Sequence, residues 1–129
     1  MKDFYLFLSS EDSKELFPTN APSDFSVKLP YPIDLRGNWT CALVQCSVPT
    51  KPEDVLYLEA NFSNHVTFGS KLKAVLGKVT GKNAQYSHLA YMPVRLKTLE
   101  VIHLKVINRR GDSNISEGET SCILHFRSE

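Results

Sequence analysis

The sequence predicts an all-β chain: a single jelly roll, or another Greek-key sandwich, of about eight short antiparallel strands. Three observations predict it. Apolar residues recur at every second position in several short runs, the period of a pleated strand with one buried face. Clusters of Pro, Gly, Asn, Asp and Ser separate these runs and break any helical pattern. Some gaps between runs reach ten residues or more, which suits crossover connections between two sheets better than a simple meander.

The first strand is read at Asp3–Ser9, where Phe4, Leu6 and Leu8 alternate with Tyr5, Phe7 and Ser9. Residues 10–23 form a long polar loop with one helical turn at 13–17, and Leu16 and Phe17 are expected to pin it to the body. A second strand runs over residues 24–29 with Phe25, Val27 and Leu29 on one face. Pro30 and Pro32 cannot donate to a ladder, so that stretch must be an edge or a bulge. Ile33 and Leu35 resume the pattern before the turn at Arg36, Gly37 and Asn38. Residues 39–48 are apolar on both sides, with Trp39, Cys41 and Leu43 facing one way and Ala42, Val44, Cys46 and Val48 the other, the mark of a central strand covered twice. Cys41 and Cys46, five apart, then point to opposite faces and cannot readily pair.

A fourth strand is expected over 55–62, bending on through 65–68, followed by a Gly69-Ser70 turn. Residues 71–79 read as one strand; Gly77 and Gly81 weigh against a helix. Residues 80–83 are a loop, and 86–92 a short strand stopped by Pro93. The longest strand is 96–108, with Glu100, Ile102, Leu104 and Val106 on one face and Val101, His103, Lys105 and Ile107 on the other. Residues 109–120, holding Gly111, Asp112 and Gly118, are a mobile loop. The last strand, 121–127, turns Cys122, Leu124 and Phe126 inward. Leu43 and Leu104 are the residues chosen for the sandwich core.

At 129 residues the chain reads as one domain, 1–129. Such a chain can bury roughly two-thirds of the surface exposed when unfolded, so its core needs neither metal nor disulfide staples. Three cysteines make no framework and are read as buried free thiols. A net charge of +1 argues against a dedicated nucleic-acid surface; Lys71, Lys73, Lys78, Lys82, Arg109 and Arg110 are read as solvated faces and turns. No apolar run approaches the roughly 20 residues of a membrane span, and no signal peptide is read at the N-terminus. A reducing compartment follows, in which the sequons at Asn38, Asn61 and Asn114 stay unmodified.

No catalytic constellation stands out. His65, His88, His103 and His125 have no metal-ligand spacing, and the His cluster of a cupin-like enzyme is missing. His103 and His125 would be neighbours only if their strands paired. Cys41 and Cys46 sit in the most apolar strand, the wrong setting for a nucleophile. Ser9, Ser10 and Ser121 lack a nucleophile elbow, and Gly69, Gly77 and Gly81 form no phosphate loop. No catalytic, cofactor-binding or metal residue is assigned, and no cofactor is expected. Tyr31, Tyr57, Tyr86 and Tyr91 are candidate contact residues, since tyrosine offers rigid amphipathic area; the subunit interface itself is not assigned.

Four collinear pieces carry a resemblance. The opening DFYLFLSS, then PTNAPSDFSVKLPYPIDLRGNWTCALVQCSVP, are similar to the start of the minor capsid (penton-type) single jelly-roll proteins of Polinton/Maverick elements and adintovirus-like viruses. Tyr57, Val66, Gly69, Leu76 and Val79 match a middle stretch of that family. Tyr91, Pro93, Val94, Ile102, Val106 and Gly111 match a later one, and the closing ILHFR resembles the family's terminal strand. Family members carry a large segment where only five residues separate Pro49 from Val55 here, so the chain resembles a shortened form. The resemblance implies a non-enzymatic virion protein at the fivefold vertices. It would be made in the host cytosol and not secreted, would self-associate as a pentamer, and would contact a double jelly-roll major capsid protein. A lectin-like or host-attachment binding module is the alternative.

Overall fold

This computed structural model describes residues 2–51, 54–80, 83–86, 88–112, 115 and 117–129. Its strands are β1 (Asp3–Ser9), β2 (Asp24–Asp34), β3 (Trp39–Ser47), β4 (Val55–Ala60), β5 (Val66–Phe68), β6 (Lys71–Lys73), β7 (Val75–Thr80), β8 (Asn83–Gln85), β9 (Met92–Pro93), β10 (Thr98–Ile107) and β11 (Ser121–Ser128). Among the described residues there is no helix.

The pairing is nested. The first strand pairs the last, β2 pairs β10, β3 pairs β8 and β9, and β4 pairs β7, all antiparallel. The nest is rolled so that β11 also pairs β3 and β10 also pairs β4. The result is one sheet in the order β1-β11-β3-β8, with β9 also on β3, and a second in the order β2-β10-β4-β7. A long antiparallel nest wrapped into a five-stranded and a four-stranded layer is the jelly roll that the alternation and long gaps predict, in a chain of eleven described strands rather than about eight.

The layers meet in one large apolar core. Leu8, Cys41, Leu43, Cys122, Leu124 and Phe126 come from the first sheet and Phe25, Leu58, Ile102, Leu104 and Val106 from the second. Leu43 and Leu104 are both buried in it. Phe126 stacks on Phe4 with ring centroids 5.0 Å apart and meets Phe62 at 5.1 Å.

Three features depart from strict alternation, and each has the same physical origin. In β3 the register slips between Leu43 and Gln45, so Val44 is an extra, bulged residue. A bulge reverses parity along a strand, so Cys41 and Cys46 both reach the core rather than opposite faces. In β10 the register slips between Leu99 and Val101; Leu99 is buried and Glu100, read as inward, is exposed and pairs with Lys28 at 3.5 Å. The other side of that slip is the proline stretch of β2, where Pro30, Tyr31 and Pro32 bulge out of an edge strand. The strand therefore continues through both prolines to Asp34 instead of stopping at Leu29.

The run 71–79 is two elements. A tight turn at Gly69 (φ +68°) and Ser70 closes a separate β5–β6 hairpin, and β7 alone joins the second sheet. The hairpin helps build a small second cluster of Phe68, Val75 and Ile107 with Tyr57 and Val66. Ile107 and Tyr57 are cross-strand partners on the outer face of that sheet, so the cluster covers part of it. Similarly, 86–92 is not a continuous strand: β8 ends at Gln85, and β9 contains only Met92 and Pro93.

The 10–23 loop shields an edge. Asn20 donates to the carbonyl of Ser26 and accepts from its N–H (2.8 and 2.9 Å), and the Ser13 hydroxyl accepts from the N–H of Lys28 at 3.0 Å. Those bonds satisfy the free side of β2, which would otherwise template another strand. The predicted turn exists as the bond from Phe17 N–H to the Ser13 carbonyl, but Leu16 is exposed and does not pin the loop. In the 109–120 segment Ile115 packs on the core, and buried Thr120 bonds Ser10 and the Pro22 carbonyl. Gly118 has φ +97°, and a Cβ there would lie 2.6 Å from Pro49. Gly118→Ala is therefore expected to lower stability by roughly 1–3 kcal/mol, read by urea unfolding.

Candidate functional site

The candidate site is the outer face of the β1-β11-β3 sheet. It follows from register. Side chains alternate across the pleat, so the inward set Phe4, Leu6 and Leu8 obliges Tyr5 and Phe7 to face out. Antiparallel pairing then sets Tyr5 beside His125 and Ala42, and Phe7 beside Ile123 and Gln45. Tyr5 is 54% exposed and Phe7 72%.

His125 is the hub of the face and only 8% exposed. Its ring stacks on Tyr5 with centroids 4.4 Å apart. Nε2 lies 2.9 Å from Asp3 Oδ2, and Nδ1 lies 2.6 Å from the Tyr91 hydroxyl. A carboxylate only accepts, so the neutral ring donates from Nε2 to Asp3 and accepts the Tyr91 hydroxyl at Nδ1. The Arg127 guanidinium covers the Tyr91 ring at 3.4 Å from its centroid. Both ring nitrogens are thus engaged in tying β1 and the segment before β9 to β11. The arrangement fixes four aromatic or basic side chains, Tyr5, Tyr91, His125 and Arg127, on one face.

Beside Phe7 the face dips into a shallow groove of about 320 Å³, bordered by Ser9, Asp12, Gln45, Ser47 and Ile123. Its neighbours are mixed apolar and polar, with no concentration of ionisable groups.

The remaining sequence candidates scatter. His103 is in the other sheet, 2.5 Å from Asp24 Oδ1, so it is no neighbour of His125. His65 and His88 are exposed. Of the four tyrosines singled out, Tyr31 is exposed on the β2 bulge. Tyr57 packs edge-on to Phe68 at 4.9 Å under the Arg109 guanidinium. Tyr86 donates to the Lys78 carbonyl, and its phenol is pushed up to about 12 by burial. Only Tyr91 belongs to the face. Tyr5 and Phe7, its most exposed members, were not among the sequence candidates; the alternation of the first strand was the signal that could have marked them.

Of the sequon asparagines, Asn61 is occupied structurally, bonding the Val101 carbonyl and the His103 N–H at 3.1 Å each; Asn114, like Gly81 and Lys82, lies outside the described residues. All three cysteines are free and buried. Burial pushes the Cys41 and Cys122 thiols well up and Cys46 up to about 12, the opposite of what a nucleophile needs. Among the described residues no group of three or more His, Cys, Asp or Glu side chains could hold a metal ion, and no helix is long and apolar enough to cross a membrane. No protein-family model matches the sequence, and no curated protein matches it significantly.

Proposed function

We propose that this chain is a virion structural protein: a minor capsid protein of penton type that self-associates, as a pentamer, and docks against a double jelly-roll major capsid protein. The observation that carries the reading is the outer face of the first sheet. Tyr5, Phe7 and Ile123 lie side by side there with Tyr91 and Arg127, a set rich in the residue types that anchor protein interfaces. Leu16, Tyr31, Val55 and Leu72 are also exposed, but they lie on other segments, outside the first sheet. The β5–β6 hairpin covers part of the second sheet's outer face, and the 10–23 loop caps the β2 edge.

Size permits it. A stable interface needs about 800 Å² from each partner, roughly a tenth of the 7448 Å² surface of this protomer. Net charge of +1 opposes close packing of copies only weakly. The family resemblance and the jelly-roll topology support the same role. The groove beside Phe7 favours a second reading, a binding module that takes a small ligand there.

Co-expression with a double jelly-roll major capsid protein tests the proposal. The chain is expected to sediment with assembled shells. A chain left wholly in the supernatant, while the shells form without it, contradicts the vertex role.

A further inference from the structure

The three buried thiols are not equivalent. The antiparallel register of β3 and β11 sets Cys46 directly opposite Cys122, and both face the core. The Val44 bulge creates this pair: with unbroken alternation, Cys46 would face away from the side that Cys41 and Leu43 occupy. Directly opposed residues in an antiparallel ladder have Cα atoms about 4.5–5.5 Å apart, inside the roughly 4.4–6.8 Å that a disulfide spans. Cys41 has no such partner, since Phe126 and Met92 stand opposite it on its two sides.

We propose that Cys46 and Cys122 are a latent cross-strand disulfide, formed when the chain equilibrates with a small-molecule disulfide, while Cys41 remains a thiol. The inference does not depend on the capsid reading. One cysteine thiolate attacks the small disulfide, forming a mixed disulfide and expelling one thiolate. The second cysteine thiolate attacks the protein sulfur of that mixed disulfide, closing the Cys46–Cys122 bond and expelling the other. The small disulfide takes both electrons, and its two thiols carry away the two protons. Burial keeps both protein thiols protonated in the closed fold, so exchange proceeds while the sheet is open, during folding or transient opening. Once formed, the bond closes a loop from 46 to 122 that contains β4 to β10, which constrains the unfolded chain strongly.

The test is refolding from urea in a buffer of oxidised and reduced glutathione, followed by acid quench, alkylation and peptide mass mapping. One alkylated cysteine per chain, Cys41, is expected, with a peptide pair joining Cys46 to Cys122 and a urea midpoint above that of the reduced chain. Cys41→Ala should keep the bridge and Cys46→Ala should abolish it. The same mapping on native protein held in that buffer at sub-denaturing urea guards against aggregation on refolding. Three free thiols at equilibrium in both formats, or a bridge that contains Cys41, overturns the proposal.

Discussion

Phe126→Ala is expected to lower the unfolding free energy by roughly 3–5 kcal/mol. Phe126 is fully buried in β11, stacked on Phe4 from the edge strand β1 and against Phe62 from the chain that leaves β4. Truncation removes a large apolar side chain and leaves a cavity between the layers. The aromatic contacts add about 0.5–1.5 kcal/mol each beyond area alone. Small domains are stable by only about 5–15 kcal/mol, so the variant should lie close to the folding threshold. Urea unfolding followed by tryptophan fluorescence checks it, because Trp39 sits on Phe4 at 5.5 Å and reports the same corner. A midpoint within experimental error of the parent would mean that this corner of the core is wrongly assigned.

The second large effect is alkaline destabilisation of the reduced chain. An exposed thiol in the unfolded chain ionises near pH 8.5. Burial raises all three thiols in the folded state, Cys46 to about 12 and the other two also far up. Below about pH 8.5 both states hold these protons and stability does not depend on them. Above it the unfolded state releases protons that the folded state keeps, so stability falls as pH rises. Each cysteine costs about 1.4 kcal/mol per pH unit in that window, or about 2 kcal/mol at pH 10. Tyr86 adds a smaller loss of the same sign from about pH 10 upward, as its phenol is raised to about 12. Urea midpoints at pH 8 and pH 10 should therefore differ sharply. The Cys46–Cys122 bridge should remove two of the three thiol contributions and flatten the dependence. An unchanged midpoint in the reduced chain would contradict the burial of the thiols.

What the sequence revealed depended on parity. Where alternation ran unbroken, as in β1 and β11, the span was legible, and in β11 so was the inward set of Cys122, Leu124 and Phe126. Where one residue was added, parity inverted, and composition did not mark it. Val44 looks like an ordinary strand residue, yet its bulge redirected Cys46 into the core, and the register slip opposite Pro30, Tyr31 and Pro32 left Leu99 buried and Glu100 exposed. The 71–79 run failed for another reason: Leu72 keeps the alternation but serves a hairpin that leaves the sheet. The outer-face cluster was half legible. The alternation that holds Tyr5 and Phe7 on one side of the first strand was plain, but which side faced out was not assigned, and Asp3, Tyr91 and His125 meet only because the first and last strands pair and β9 joins β3. Such contacts between chain ends depend on topology, which no local pattern encodes.

Sedimentation equilibrium of the parent chain and Phe7→Ser tests most directly the proposal that the chain assembles through the outer face of β1 and β11. Phe7 is exposed, so its loss should change stability by no more than about 0.5 kcal/mol while weakening any contact made through the face. The parent mass is expected to be a multiple of 14.6 kDa, five-fold at saturation, with Phe7→Ser shifted toward 14.6 kDa. A parent that stays at 14.6 kDa at every concentration, or a Phe7→Ser variant that assembles as the parent does, would contradict it.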